Sequence, residues 1–175
     1  MKKILTLFFA LTFVGCASAI QQDYNAQSVE ELKEAIESEH PAAYYILASK
    51  LMEKGKHDDA VFWFYVGQLR YRFHLGVNEG KLDPSGDPAL FSSFSYVIGT
   101  PVNEYAFGDL DTLAKTFDRV IEWDATNPNG FTSKTVHKKE HEETVEGLRK
   151  LKFMIIEQAD DIRKSRLEAG LENRS

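Results

Sequence analysis

Residues 41–74 read PAAYYILASKLMEKGKHDDAVFWFYVGQLRYRFH. Pro41 follows His40, which ends whatever precedes it, and its fixed φ suits the first turn of a new helix. Tyr44, Leu47, Ala48 and Leu51 then recur at three- and four-residue spacing, the signature of one helix face. Gly55 stops that helix. Lys56-His57-Asp58-Asp59 is the turn, with Asp58 or Asp59 as cap of the next helix. The second helix runs from Ala60 to about Leu75. Its stretch Phe62–His74 is apolar nearly all round, which places it at the centre of a core, buried on every side.

Outward from this hairpin the helical pattern continues. Upstream, Ser28-Val29-Glu30-Glu31 is a capping box, in which the serine hydroxyl and the glutamate carboxylate satisfy each other's free amides. It predicts a helix to about Glu39. Downstream, Lys81-Leu82-Asp83-Pro84-Ser85-Gly86-Asp87-Pro88 is loop. Asp87 is predicted to cap, and Pro88 to open, a helix with Leu90, Phe91, Phe94, Val97 and Ile98 on one side, ended by Gly99. A single turn from Thr100-Pro101 follows. Asp109 caps an amphipathic helix with the stripe Leu110, Leu113, Ala114, Phe117, Val120 and Ile121. Asn127-Pro128-Asn129-Gly130 is a turn. The last helix spans about Lys138 to Ala169, with Leu148, Leu151, Ile155, Ala159 and Ile162 inward, and Gly170 stops it. No segment alternates long enough for a strand. The chain reads as all-α, a single compact domain of six or seven helices over 28–175.

The hairpin resembles one tetratricopeptide repeat. The matching positions are Tyr44, Leu47, Ala48, Leu51, Gly55, Ala60, Phe64 and Gly67, where small residues let two helices touch and large ones fill the groove. The closing proline is missing, with Arg72 near its place, and no second copy follows. Stacked repeats need about three units to bury their faces, so one repeat-like hairpin sits in a compact domain. The resemblance implies protein or peptide binding.

The N-terminus carries a different message. Lys2 and Lys3 precede the uncharged run Ile4–Val14, then Gly15-Cys16-Ala17-Ser18-Ala19. This is the layout of a secretory signal peptide over 1–19, with an apolar run too short for a spanning helix. Two cleavages compete. One follows Ala19 and releases a soluble protein. The other precedes Cys16, because Phe13-Val14-Gly15-Cys16 resembles the bacterial lipobox, with Phe13 where leucine is usual. That resemblance implies acylation of Cys16, the chain's only cysteine, enough lipid for stable anchoring, and a polar tether over 20–27. The expected location is the bacterial cell envelope, as an outer-membrane lipoprotein facing the periplasm or a soluble periplasmic protein. With one cysteine, the mature fold has no disulfide.

The chain has 175 residues and a net charge of −6; the signal carries only two lysines as charge, so its removal leaves −8 on 156 residues. That length supports one real core. An acidic balance without a basic patch excludes nucleic acid and anionic lipid surfaces as partners, which leaves the membrane to a lipid anchor alone.

Several constellations invite chemistry. On the central helix, Gln68, Arg70, Arg72 and His74 need partners if buried. Internal carboxylates such as Glu104 or Asp109 are one source; a polar-aromatic partner surface using Trp63, Tyr65, Gln68, Arg70 and Arg72 is the other, since Trp, Tyr and Arg anchor interfaces. His137-Lys138-Lys139-Glu140-His141 matches an inverted zinc-peptidase pattern, but its flanks are charged and only 34 residues follow. A solvated helix start is expected there, and no metal. Asp83 and Asp87 lack the spacing of a calcium loop. Ser92, Ser93 and Ser95 lie in no nucleophile elbow, and no phosphate or dinucleotide loop occurs, so no cofactor is expected. The last helix is a solvated face with pairs such as Glu146–Lys150, or a second partner surface.

Two function classes follow. The first is a non-enzymatic envelope protein that binds another protein, as an adaptor or assembly lipoprotein or a toxin-immunity protein, its acidic surface suiting a basic partner. The second is a small envelope hydrolase or lytic factor using a carboxylate pair.

Overall fold

The computed structural model describes residues 23–174. The signal peptide, Cys16 and the first residues of the tether lie outside them. Among the described residues the chain is all-helical. Eight α-helices are present: α1 (Val29–Ala35), α2 (Ala42–Glu53), α3 (His57–Val77), α4 (Asp87–Val97), α5 (Gly99–Ala106), α6 (Leu110–Thr126), α7 (Lys138–Glu157) and α8 (Ala159–Glu168). A 3-10 turn, Ile36–Ser38, follows α1. None of these helices is long and apolar enough to cross a membrane.

The predicted hairpin is the heart of the molecule. Helix α3 packs against α2, α4, α5, α6 and α7. Tyr44, Leu47, Ala48, Leu51, Ala60 and Phe64 are all buried. Gly67 sets how closely α2 and α3 approach: a Cβ there would lie 2.8 Å from Cβ of Tyr44. Gly55 turns the chain in the left-handed region at φ 70°, where a side chain is strained. Neither aspartate caps α3. Lys56 is its N-cap, and Asp58 and Asp59 occupy the first turn, where their charge suits the helix dipole.

The capping box at Ser28 is formed, with Glu31 N–H donating to Ser28 Oγ and Ser28 N–H to Glu31 Oε2. The tether expected over 20–27 already belongs to the domain from Asp23 onward. Tyr24 packs on the core and its hydroxyl donates to Glu39, while Lys50 holds the Asn25 carbonyl.

Helix α4 differs from its prediction. Gly86 is its N-cap and Asp87 lies inside it, because the Asp87 carboxylate is engaged by His40, Tyr71 and His74. Its inward stripe is Phe91, Phe94 and Ile98, whereas Leu90 and Val97 face solvent. The expected single turn after Gly99 is a full helix, α5. The α6 stripe is buried throughout, and Asp109 accepts from the Thr112 amide as its cap.

The predicted last helix breaks at Gln158 into α7 and α8. With 20 residues, α7 is already about 30 Å long, the width of a small domain. A straight continuation would carry Ala159 and Ile162 into water; instead both pack on the core. The tail beyond α8 is tied back by Arg166 to the Glu104 carbonyl and by the Arg174 amide to the Gly108 carbonyl. The i,i+4 pairs on α7 are Lys138–Glu142 and Lys139–Glu143, and among the described residues Glu146–Lys150 is not one.

Candidate functional site

Helix α3 sends its polar residues in three directions. Arg70 points into the core. It is 2% exposed and all its donors find partners inside the molecule. Its Nε donates to Asp124 Oδ1 at 3.3 Å, its Nη1 to the Tyr44 hydroxyl at 2.6 Å, and its Nη2 to the Pro128 carbonyl at 2.7 Å. The guanidinium also lies 4.7 Å from the Trp123 ring. Asp124 is equally buried and takes His141 Nε2 at 2.7 Å and Lys134 Nζ at 3.7 Å. Burial pushes its carboxyl up, but the hydrogen bond from His141 and the charges of Lys134 and Arg70 outweigh it, so the group stays below the usual carboxylate range.

Arg70 is therefore a structural cation rather than a residue of an exposed partner surface. Its carboxylate is Asp124, not Glu104 or Asp109. His141 is not a solvated helix start either; it fastens the first turn of α7 to the core.

His74 belongs to a second buried hub. Its Nε2 meets Asp87 Oδ2 at 3.2 Å and its Nδ1 meets Thr132 Oγ1 at 2.9 Å. His40 Nε2 and the Tyr71 hydroxyl meet Asp87 Oδ1 at 3.0 Å each. His40 Nδ1 accepts the Ala42 amide, so the neutral ring satisfies both nitrogens. Burial lowers the pKa of His40 against the opposing charge of Asp87. Burial raises the Asp87 carboxyl, but the His40 charge and the bonds from Tyr71 and His74 bring it down overall. The loop between α6 and α7 is stitched to α3 by these two hubs, through Pro128 and Thr132.

Trp63 takes the second direction. It sits half-buried against Tyr44, Phe62 and Trp123, with Lys33 above it.

Tyr65, Gln68 and Arg72 take the third, into one cleft of about 830 Å³ between α3, α5 and α7. The Tyr65 hydroxyl donates to Asn103 of α5 at 2.8 Å. Gln68 Nε2 donates to Ser95, and its Oε1 accepts Arg72 Nε at 3.2 Å. The Arg72 guanidinium is braced over the Phe91 ring at 5.3 Å. Arg72 is exposed, and among the described residues it forms no ion pair.

Helix α7 builds the opposite wall. Glu140 and Glu143 stand near its start, and Leu148 and Leu151 lie further along. Phe73 touches His141 at 5.4 Å, which sets the start of α7 beside the end of α3. Lys152 pairs with Asp118, the neighbour of the Phe117 ring that packs on Tyr65. The two walls thus run antiparallel. Each carries a helical glycine, Gly76 and Gly147, at which an added Cβ would meet nothing within 4 Å. Mid-helix glycine costs about 0.5–1 kcal/mol relative to alanine, and no packing contact here requires it; the two glycines widen the cleft.

Sequence reading selected Tyr65, Gln68 and Arg72 and missed their neighbours. Asn103, Phe107 and Gly147 carry no local signal, Leu148 and Leu151 read only as part of an inward stripe, and the α7 glutamates read as solvated charge. Asp124 was missed as well, being one of several acidic residues on an amphipathic helix.

No family model matches the chain, and no solved structure matches it. It is similar to an uncharacterized protein of Haemophilus influenzae, 32% identical over 88 residues that make up 50% of this chain and 34% of that protein. The matched part therefore spans about a third of the relative's length.

Proposed function

We propose that this is a bacterial envelope protein that acts by binding another protein, as an adaptor or assembly lipoprotein or an immunity protein, without turnover. In this reading it is exported by its signal peptide and held through acylated Cys16 at the outer membrane facing the periplasm, or released soluble into the periplasm. The observation that carries the reading is the cleft. It holds three of the five residues chosen as interface anchors, and Arg72 stands in it as a braced cation with no carboxylate partner among the described residues. The repeat-like hairpin adds weight, because α3 supplies one whole wall of the cleft.

A photo-crosslinking amino acid at position 147, in cells that make the protein, tests this reading. One discrete protein adduct is expected there, with none from the same group at exposed Lys164 on α8. The adduct should fade in Arg72→Ala. A partner that still co-purifies but crosslinks only outside the cleft would overturn the site. Palmitate label that enters the wild type and not Cys16→Ser supports the anchor; label in neither removes it.

A further inference from the structure

The cleft is charged at one end and apolar at the other. Glu79, just past the end of α3, and Glu140 and Glu143, on the first turns of α7, lie at the same end because the two helices run antiparallel. Glu79 and Glu143 are exposed and Glu140 is partly exposed. Glu143 has only a loose partner, Lys139 at 3.8 Å, itself exposed. Against three carboxylates the lining offers one cation, Arg72. Toward the other end the lining is Phe64, Phe107, Leu148 and Leu151. Polar groups also line it: Gln68 and Arg72 along α3 between the two ends, Thr144 beside Glu143, and Asn103 beside Tyr65.

We infer that the cleft takes a basic peptide segment of a partner protein, with a large apolar side chain in the far end and a lysine or arginine at the acidic end; this rests on the protein-binding reading above. Charge complementarity selects the sign, because an acidic segment or an anionic lipid head would meet three carboxylates. The polar middle selects a peptide over an acyl chain: Arg72 offers its remaining guanidinium donors to main-chain carbonyls, where a hydrocarbon would leave them unpaired. Helical rise sets the spacing. From Leu148–Leu151 back to Glu140–Glu143 is eight residues, about 12 Å. That corresponds to three or four residues of extended chain. The recognised pattern is therefore a bulky apolar residue with a basic one three or four positions away. The whole wall from Phe64 to Glu79 is about 22 Å long, room for roughly seven extended residues.

The test uses the purified mature chain and a random dodecapeptide display library as probe. Enriched peptides should carry Lys or Arg three or four positions from Leu, Phe, Ile or Trp. Their affinity should fall more than tenfold in the double variant E140K/E143K and should weaken as salt rises. It should also fall in Gly147→Leu, which fills the cleft while removing an unfavourable helix residue, so that variant should melt no lower than the wild type. Peptides enriched for acidic residues, or basic peptides indifferent to E140K/E143K, would overturn the inference. Enriched peptides that carry no basic residue yet are blocked by Gly147→Leu would leave the cleft as a protein-binding site while refuting its basic occupant. No enrichment at all would also refute the occupant, and the crosslinking result at position 147 then decides the site separately.

Discussion

Arg70→Met is the most informative single change in this molecule. Methionine keeps an unbranched stem of similar length and removes the charge. Arg70 and Asp124 are each about 2% exposed, so the loss leaves a carboxylate in the core. Breaking a buried pair by removing one partner costs about 3–5 kcal/mol. Asp124 retains His141 and Lys134, which favours the lower end. The Pro128 carbonyl and the Tyr44 hydroxyl also lose their short bonds from the guanidinium, which restores part of the cost. The expected loss is about 3–4 kcal/mol in urea denaturation at pH 7, with an unchanged slope. Double substitution with Asp124→Asn should cost at least about 1 kcal/mol less than the sum of the single losses, because the two side chains share one network. The Asp124 carboxyl is held below its unfolded value, so its contribution is complete above the ordinary aspartate range, near pH 3.9, and disappears as pH falls through the folded value. Without Arg70 the folded value rises toward the unfolded one, so this acid loss should be smaller and complete at a higher pH. An Arg70→Met protein that loses under 1 kcal/mol would refute the assignment of Arg70 as a structural cation.

The neighbouring tyrosines of α2 should respond oppositely to loss of the hydroxyl. Tyr44→Phe removes the acceptor of an Arg70 bond and should cost about 1.5–3 kcal/mol. Tyr45→Phe should be within about 0.5 kcal/mol of wild type or stabilising, since the buried Tyr45 hydroxyl lies by Ser95 outside hydrogen-bond geometry and among the described residues has no partner; equal losses in urea titrations would refute both. Gly67→Ala should cost at least about 1–3 kcal/mol by overpacking against Tyr44, whereas Gly147→Ala should be neutral or stabilising, with thermal melts as the readout. For His40, whose pKa is lowered by burial, the unfolded ring takes up a proton first. Stability should therefore begin to fall as pH drops below about 6.5, and His40→Gln should remove that part of the acid loss in a pH series of urea titrations.

Most of the fold is legible locally. The capping box at Ser28, the stop at Gly55, the Asp109 cap and the α6 stripe each rest on interactions within a few residues, and each forms as the sequence predicts. Errors arise where a side chain answers to something distant. Asp87 has the sequence position of a cap, but two histidines and a tyrosine from other segments claim its carboxylate. His141 sits among charges, as a solvated residue would, yet a buried aspartate 17 positions earlier holds it. Asp23–Gln27 reads as a polar tether, and Tyr24 draws it onto the core.

The sequence by itself determined that this chain is helical, where α1 and α6 begin, and that α3 is central, because caps and apolar periodicity act over one or two turns. It also narrowed the polar anchors to five residues on one helix. Only the tertiary structure decided among them. Residues two apart on a helix are about 200° apart around its axis, so Arg70 and Arg72 face opposite surroundings. A helix that is apolar on all sides gives no local sign of which side has a neighbour. Arg70 meets α6 and the loop after it; Arg72 meets open space. That space exists because α7 returns antiparallel to α3 and stands off at Gly76 and Gly147. No local pattern encodes it, since it depends on where a helix some seventy residues further along the chain comes to rest.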